Sequence, residues 1–276
     1  MNKLAVADYL KATRGVEGWF FPIDACLFGM IDVIQKREGI TGDLFEIGVH
    51  HGKTSIALAR MAAPGESVGV CDVFEQQELN ADGSGEGSRE LFEKNMRLHG
   101  GLPEGGLRVF AKRSAELTPE ETTTGCRFFH IDGGHRAGDV VADMRTASRA
   151  LRPDGVVVVD DVFNPNWPGV GEGYYRFSSE RRDVFVPIVI GGNKVFLVRP
   201  AAVEIYERHW SSLRSLAEFY EGRAFTFDFK EWEGRRVLTA IRRAWVDLDP
   251  AGAAALHAGD DPGRGPVQRA IFRILR

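Results

Sequence analysis

Short, dense apolar runs alternate with stretches of helical spacing between Asp43 and Arg199. DLFEIGV is an apolar run that ends in glycine, and KTSIALARMA follows it with helical periodicity, which predicts a strand leading into a helix. ESVGVCDVF, LRVFAKRSAEL and CRFFHID repeat the strand pattern, and GDVVADMRTASRAL predicts a helix before the strand DGVVVVDD. Strands alternating with helices predict a largely parallel sheet covered on both faces. In DVFVPIVIGGNKVFLVRP two apolar runs flank Gly191, Gly192 and Asn193, a turn suited to an antiparallel hairpin, so the sheet should have a mixed edge.

The flanks read differently. Ala25, Phe28, Ile31, Val33 and Ile34 fall at helical intervals, making residues 1–40 an N-terminal helical segment ahead of a core at 41–200. Residues 201–247 form a helical or mixed extension, in which Val203, Tyr206, Trp210 and Leu213 share one helical face. Within it AFTFDFKEW alternates like a strand, whereas EGRRVLTAIRRAW fits strand and helix equally. Residues 248–276, rich in Ala, Gly, Pro and Asp, read as a flexible tail. The polar, glycine-rich stretch from Gln76 to Arg89 reads as a loop placed to close over ligands.

A chain of 276 residues, 43% hydrophobic and 27% charged, suits one main α/β domain with helical additions. Its 35 basic and 39 acidic residues give a net charge of -4, which lacks the basic footprint of a nucleic-acid binder and favours a small-molecule partner. Cys26, Cys71 and Cys126 show no paired spacing, pointing to a reducing cytoplasm. With no secretory signal and no apolar run near the roughly 20 residues of a membrane span, a soluble protein without membrane partners is expected. The sequence leaves room for a homo-oligomer.

In GDLFEIGVHHGKTS, Glu46 ends a strand, Gly48 and Gly52 occupy the turn, and Thr54 and Ser55 open a helix. Such a turn marks the ligand crevice of an open α/β sheet, and glycine lets backbone approach a ligand. Asp72, at the end of the next strand, can accept from both ribose hydroxyls of an adenosine ligand. The third glycine of a pyrophosphate site is missing, and Glu46 would repel a diphosphate while accepting from an ammonium, which disfavours the alternative of an NAD(P)-dependent oxidoreductase. A non-catalytic nucleotide-binding scaffold is the other alternative.

FEIGVHHGKTS, VCDVFE, FHIDGGH and VVVVDDVF, in that order, resemble the class I S-adenosylmethionine-dependent methyltransferases, and within them the family of macrocin-type sugar O-methyltransferases. The resemblance spans Asp43 to Arg199. It implies a Rossmann-like, doubly wound, mostly parallel seven-stranded sheet with a reversed final strand. It also implies S-adenosylmethionine near Glu46, Gly48 and Asp72, and a hydroxyl acceptor beside the fourth and fifth strands.

Asp132, Asp160 and Asp161 end adjacent predicted strands and should converge on one crevice. Three carboxylates together need relief from repulsion, and Mg²⁺ with oxygen ligands would provide it. The resemblance implies acidic metal ligands at the same three positions; the bland alternative is that they cap turns and hold no metal. His135, just past Asp132, is expected to act with it in catalysis, as the base for an acceptor hydroxyl. His130 reads as a buried strand residue, and His50 and His51 as lining of the cofactor loop.

Overall fold

The computed structural model describes residues 3–80, 82–122, 125–210 and 225–242. Helices α1 (Lys3–Ala12) and α2 (Pro22–Arg37) precede β1 (Leu44–Ile47), α3 (Lys53–Met61) and β2 (Val68–Asp72). Then come α4 (Arg89–His99), β3 (Leu107–Ala111), α5 (Pro119–Thr122), β4 (Cys126–Ile131), α6 (Ala137–Ala150) and β5 (Leu151–Val159). The hairpin β6 (Val186–Gly191) and β7 (Lys194–Val198) follows α7 (Pro168–Glu180), and α8 (Val203–Glu207), β8 (Phe225–Trp232) and β9 (Arg235–Arg242) complete the described elements.

The sheet order is β3-β2-β1-β4-β5-β7-β6-β9-β8. β1 to β5 pair in parallel, and β7 runs antiparallel to both β5 and β6. The doubly wound, mostly parallel sheet and its hairpin match the sequence-based expectation. The strand count differs: the described residues form nine strands rather than seven. β9 extends the sheet by pairing in parallel with β6, and β8 returns antiparallel along it. Within EGRRVLTAIRRAW, Arg235–Arg242 is therefore strand, because the open edge of β6 decides what local propensity left undecided. The helix expected after Pro200 is short, ending at Glu207, and Leu213 and the 248–276 tail lie outside the described residues.

Period-two alternation splits the strands between two cores. Leu44, Phe128, Val156, Val158 and Phe196 pack on the face covered by α1 to α3, while Phe45, Phe129, Val157, Val159 and Leu197 pack on the face covered by α6 and α7. Arg127 on β4 is wholly buried, which only dense pairing permits. Its guanidinium meets Glu66 at 2.9 Å, Asp32 at 3.1 Å and Gln35 at 2.7 Å, tying α2 and the turn before β2 to the central strand.

Asp143 is buried on α6, and burial raises its carboxyl from the ordinary range to about 7. A folded-state value above the unfolded one means that the native state binds the extra proton, so its stabilisation is complete below about pH 4 and lost as pH rises through about 7. Denaturation at pH 5 and pH 8 should show Asp143→Asn gaining on the wild type at the higher pH, by on the order of a few kcal/mol. Equal differences at the two pH values would contradict this.

Candidate active site

The carboxyl ends of β1, β2, β4 and β5 open into one cleft of about 580 Å³. Such a position, where strand order reverses beside β1, is where open α/β sheets bind ligands. The connection between α1 and α2 supplies Trp19 and Phe21 to its rim, and the segment after β2 supplies Asp82 to Gly85.

At one end lies the turn after β1. Gly48 has φ +80°, and a Cβ there would collide with the Asp132 carbonyl, so glycine lets the β1 and β4 turns touch. Gly52, at φ +87°, caps α3, and a Cβ there would meet the Phe92 ring at 2.9 Å; it serves packing and does not line the cleft. Asp72 does line it: Oδ2 accepts from the Val49 and His50 amides at 2.6 and 2.9 Å, and Oδ1 from Phe74 at 2.7 Å. Three of roughly four carboxylate acceptor sites are thus used, leaving capacity on Oδ1. Thr54 lines the cleft, whereas Glu46 and Ser55 sit below it. Glu46 is buried, accepting from the Ser55 hydroxyl and pairing with His130 Nδ1 at 3.0 Å, so its carboxylate holds the base of the turn together. His130 is buried as expected, and His50 lines the cleft with its ring 3.8 Å from that of His51.

At the other end Asp132, Asp160 and Asp161 do converge, but with a cation the sequence reading missed. Lys194, at the start of β7, is almost fully buried, donates to Asp160 Oδ2 and lies 3.6 Å from Asp24. Burial alone would depress its ammonium; Asp160, Asp24 and Asp132 outweigh that and hold it above the ordinary lysine value. Part of the repulsion invoked to call for a metal is therefore relieved from within. The carboxyl of Asp132 is still raised, chiefly by burial and then by Asp160. Asp161 sits in the left-handed region at φ +58°, with Oδ1 accepting from Asn164 at 2.9 Å and Asn193 at 3.3 Å. Ligand atoms of Asp132, His135 and Asp161 lie within 4.8 Å of one another, as do those of His130, Asp132 and Asp160.

His135 stands between Asp82, 3.0 Å from Nδ1, and Asp161, 3.5 Å from Nε2, with its ring stacked on Trp167. Burial lowers the imidazole, but the hydrogen bond to Asp161 and the charge of Asp82 prevail and raise it. Lys194 had one signal in the sequence, a lysine inside the buried run NKVFLV. Asp24 and Asp82 had none, because folding alone brings them to the site.

Residues 45–162 match a family model described as a methyltransferase domain. Among solved structures, the O-methyltransferase NovP is 17% identical with a TM-score of 0.55, covering 66% of this chain and 83% of its own. The O-methyltransferase TomG from Streptomyces achromogenes is 19% identical with a TM-score of 0.50, covering 71% of this chain and 89% of its own. At these identities the structures show a shared fold. No curated protein sequence matches the chain.

Lys194→Met would strand Asp24 and Asp160 without their buried partner, at a cost of about 3–5 kcal/mol. Thermal unfolding should fall by on the order of 10 °C, and adding Asp160→Asn should recover part of the loss. A melting temperature unchanged by Lys194→Met would refute the structural role of the ion pair.

Proposed function

We propose that this chain, whose residues 45–162 match a methyltransferase-domain model, moves a methyl group from S-adenosylmethionine to a hydroxyl of a sugar or another small natural product. The observation that carries the reading is the single cleft that joins Asp72 and Gly48 to the cluster of Asp132, Asp160 and Asp161. Donor and acceptor can meet there without crossing the sheet. TomG, which shares the fold, was solved with S-adenosylmethionine and takes part in tomaymycin synthesis, which supports both the donor and the acceptor class. Cys26, Cys71 and Cys126 are all buried and widely spaced in sequence, which suits a reducing, cytoplasmic setting. No helix among the described residues is long and apolar enough to cross a membrane.

The donor supplies a methyl already activated on a sulfonium, so the protein must align the acceptor oxygen, exclude water and take up one proton. Asp72 offers its remaining acceptor site to the ribose, and the glycine-permitted turn at 48 brings backbone to the ligand. As the carbon–sulfur bond breaks and the carbon–oxygen bond forms, the hydroxyl proton passes to Nε2 of His135. Asp82 and Asp161 stabilise the resulting imidazolium, which strengthens the base.

Asp132, Asp160 and Asp161 would hold Mg²⁺, and the donor set fits. Lys194 and His135 are the cations within reach, and these three carboxyls together with Asp24 outnumber them. Hard carboxylate oxygens suit that ion, which would supply Lewis-acid stabilisation of the acceptor oxygen.

Two measurements test this reading. Asp72→Ala should weaken S-adenosylmethionine binding in calorimetry by about 1.5–3 kcal/mol, the value of hydrogen bonds to a charged group; unchanged affinity would remove Asp72 from the site. Chelation and Asp132→Asn should each lower turnover and calorimetric Mg²⁺ binding together, and full turnover after chelation would exclude the metal.

A further inference from the structure

Asp82 comes from the segment after β2, yet both of its oxygens are engaged, and one of them on a residue past β4. Oδ2 accepts from the His135 backbone amide at 2.6 Å and faces Nδ1 of the same residue at 3.0 Å. Oδ1 accepts from the Ser84 amide at 3.1 Å. Only 11% of each of the two side chains, Asp82 and His135, is exposed. Two bonds to one residue fix both its main chain and its ring plane, and Trp167, stacked at 4.2 Å and 20°, bars rotation from the other side.

From this geometry we infer that Asp82 is a positioning residue, which holds the proton of His135 on Nδ1 and turns Nε2 to the cleft. The competing contact, Nε2 to Asp161, is 3.5 Å long, at the limit of a hydrogen bond, so a neutral ring keeps its proton toward the closer partner. The same segment reaches the donor end of the cleft, where Gly85 packs near His50 and Trp19 and Gly87 lies beside Asp72. One carboxylate thereby links the ribose side of the cleft to the base on the acceptor side. The inference rests on reading this cleft as the site of methyl transfer, but the placement of the proton can be measured without donor or acceptor.

The test uses the full chain labelled with ¹⁵N in its histidines, with His135 assigned through a His135→Gln control. When the ring is neutral, the wild type should show the proton on Nδ1, and Asp82→Ala should move it to Nε2, the form that an unconstrained histidine side chain prefers. Asp82→Asn, which keeps an acceptor oxygen, should retain the Nδ1 proton. In turnover, Asp82→Ala should lose about tenfold to a hundredfold in kcat, the usual cost of removing a partner that orients a functional group. Its KM for S-adenosylmethionine should stay within about twofold, and Asp82→Asn should recover most of the rate. Asp82 lies outside both hydrophobic cores, so its loss leaves them intact. A neutral ring protonated on Nε2 in the wild type, or an unchanged tautomer in Asp82→Ala, overturns the inference. Wild-type protein that shows the Nδ1 form and its loss in Asp82→Ala, yet binds no S-adenosylmethionine, would uphold the positioning and overturn the methyltransferase reading instead.

Discussion

The end of the sheet that forms the candidate site depends on the burial of one ammonium. Lys194 enters from β7 among Asp24, Asp160 and Asp132, where it also lies 5.7 Å from the Phe20 ring. Carboxylates at adjacent strand ends repel at short range, and a low-dielectric setting makes that repulsion expensive. With the ammonium in place, Asp160 can follow the buried second half of β5 and Asp161 can turn outward into the cleft. The helix α2 is drawn into the same arrangement, because Asp24 both accepts from the Phe21 amide at 2.8 Å and faces Lys194.

The other charged groups in the interior follow a similar logic with different results. Arg127 is saturated by Glu66, Asp32 and Gln35, leaves no chemistry available and acts as a brace between helix and sheet. Glu46 and His130 pair at 3.0 Å beneath the turn after β1. His135 differs because its carboxylate partners come from two separate segments and its Nε2 side borders the cleft. What separates His135 from the two braces is access to the cleft.

Much of this was legible in the amino-acid order. The central parallel strands β1, β4 and β5 announce themselves because burial on both faces demands nearly continuous apolar runs, as in VVVV before Asp160. The Gly192 turn shows itself for a comparable reason, its φ of +60° being one that glycine accepts freely. β9 was not legible, since Val237, Leu238 and Ala240 suit a helix as well, and only the edge of β6 selects the strand. The placement of Asp72, Asp132, Asp160 and Asp161 at one cleft could be read because strand ends are locatable in sequence. Lys194, Asp24 and Asp82 could not, because their roles arise from contacts between segments far apart in the chain, and periodicity carries no such information. Gly52 shows the opposite error: a glycine that looks made for a ligand is there to let Phe92 pack.

The position of Lys194 along the chain also sets an order of events during synthesis. Asp24, Asp132 and Asp160 all emerge from the ribosome before the lysine that compensates them. Until the β6–β7 hairpin arrives, closing the acidic end of the sheet would bury uncompensated charge, so β5 has reason to remain loosely held while β1 to β4 assemble. Docking of the hairpin then covers the exposed edge of β5 and delivers the counter-charge in a single step. A nascent chain halted before residue 194 would thus carry an open, negatively charged strand end, a feature by which unfinished copies differ from finished ones.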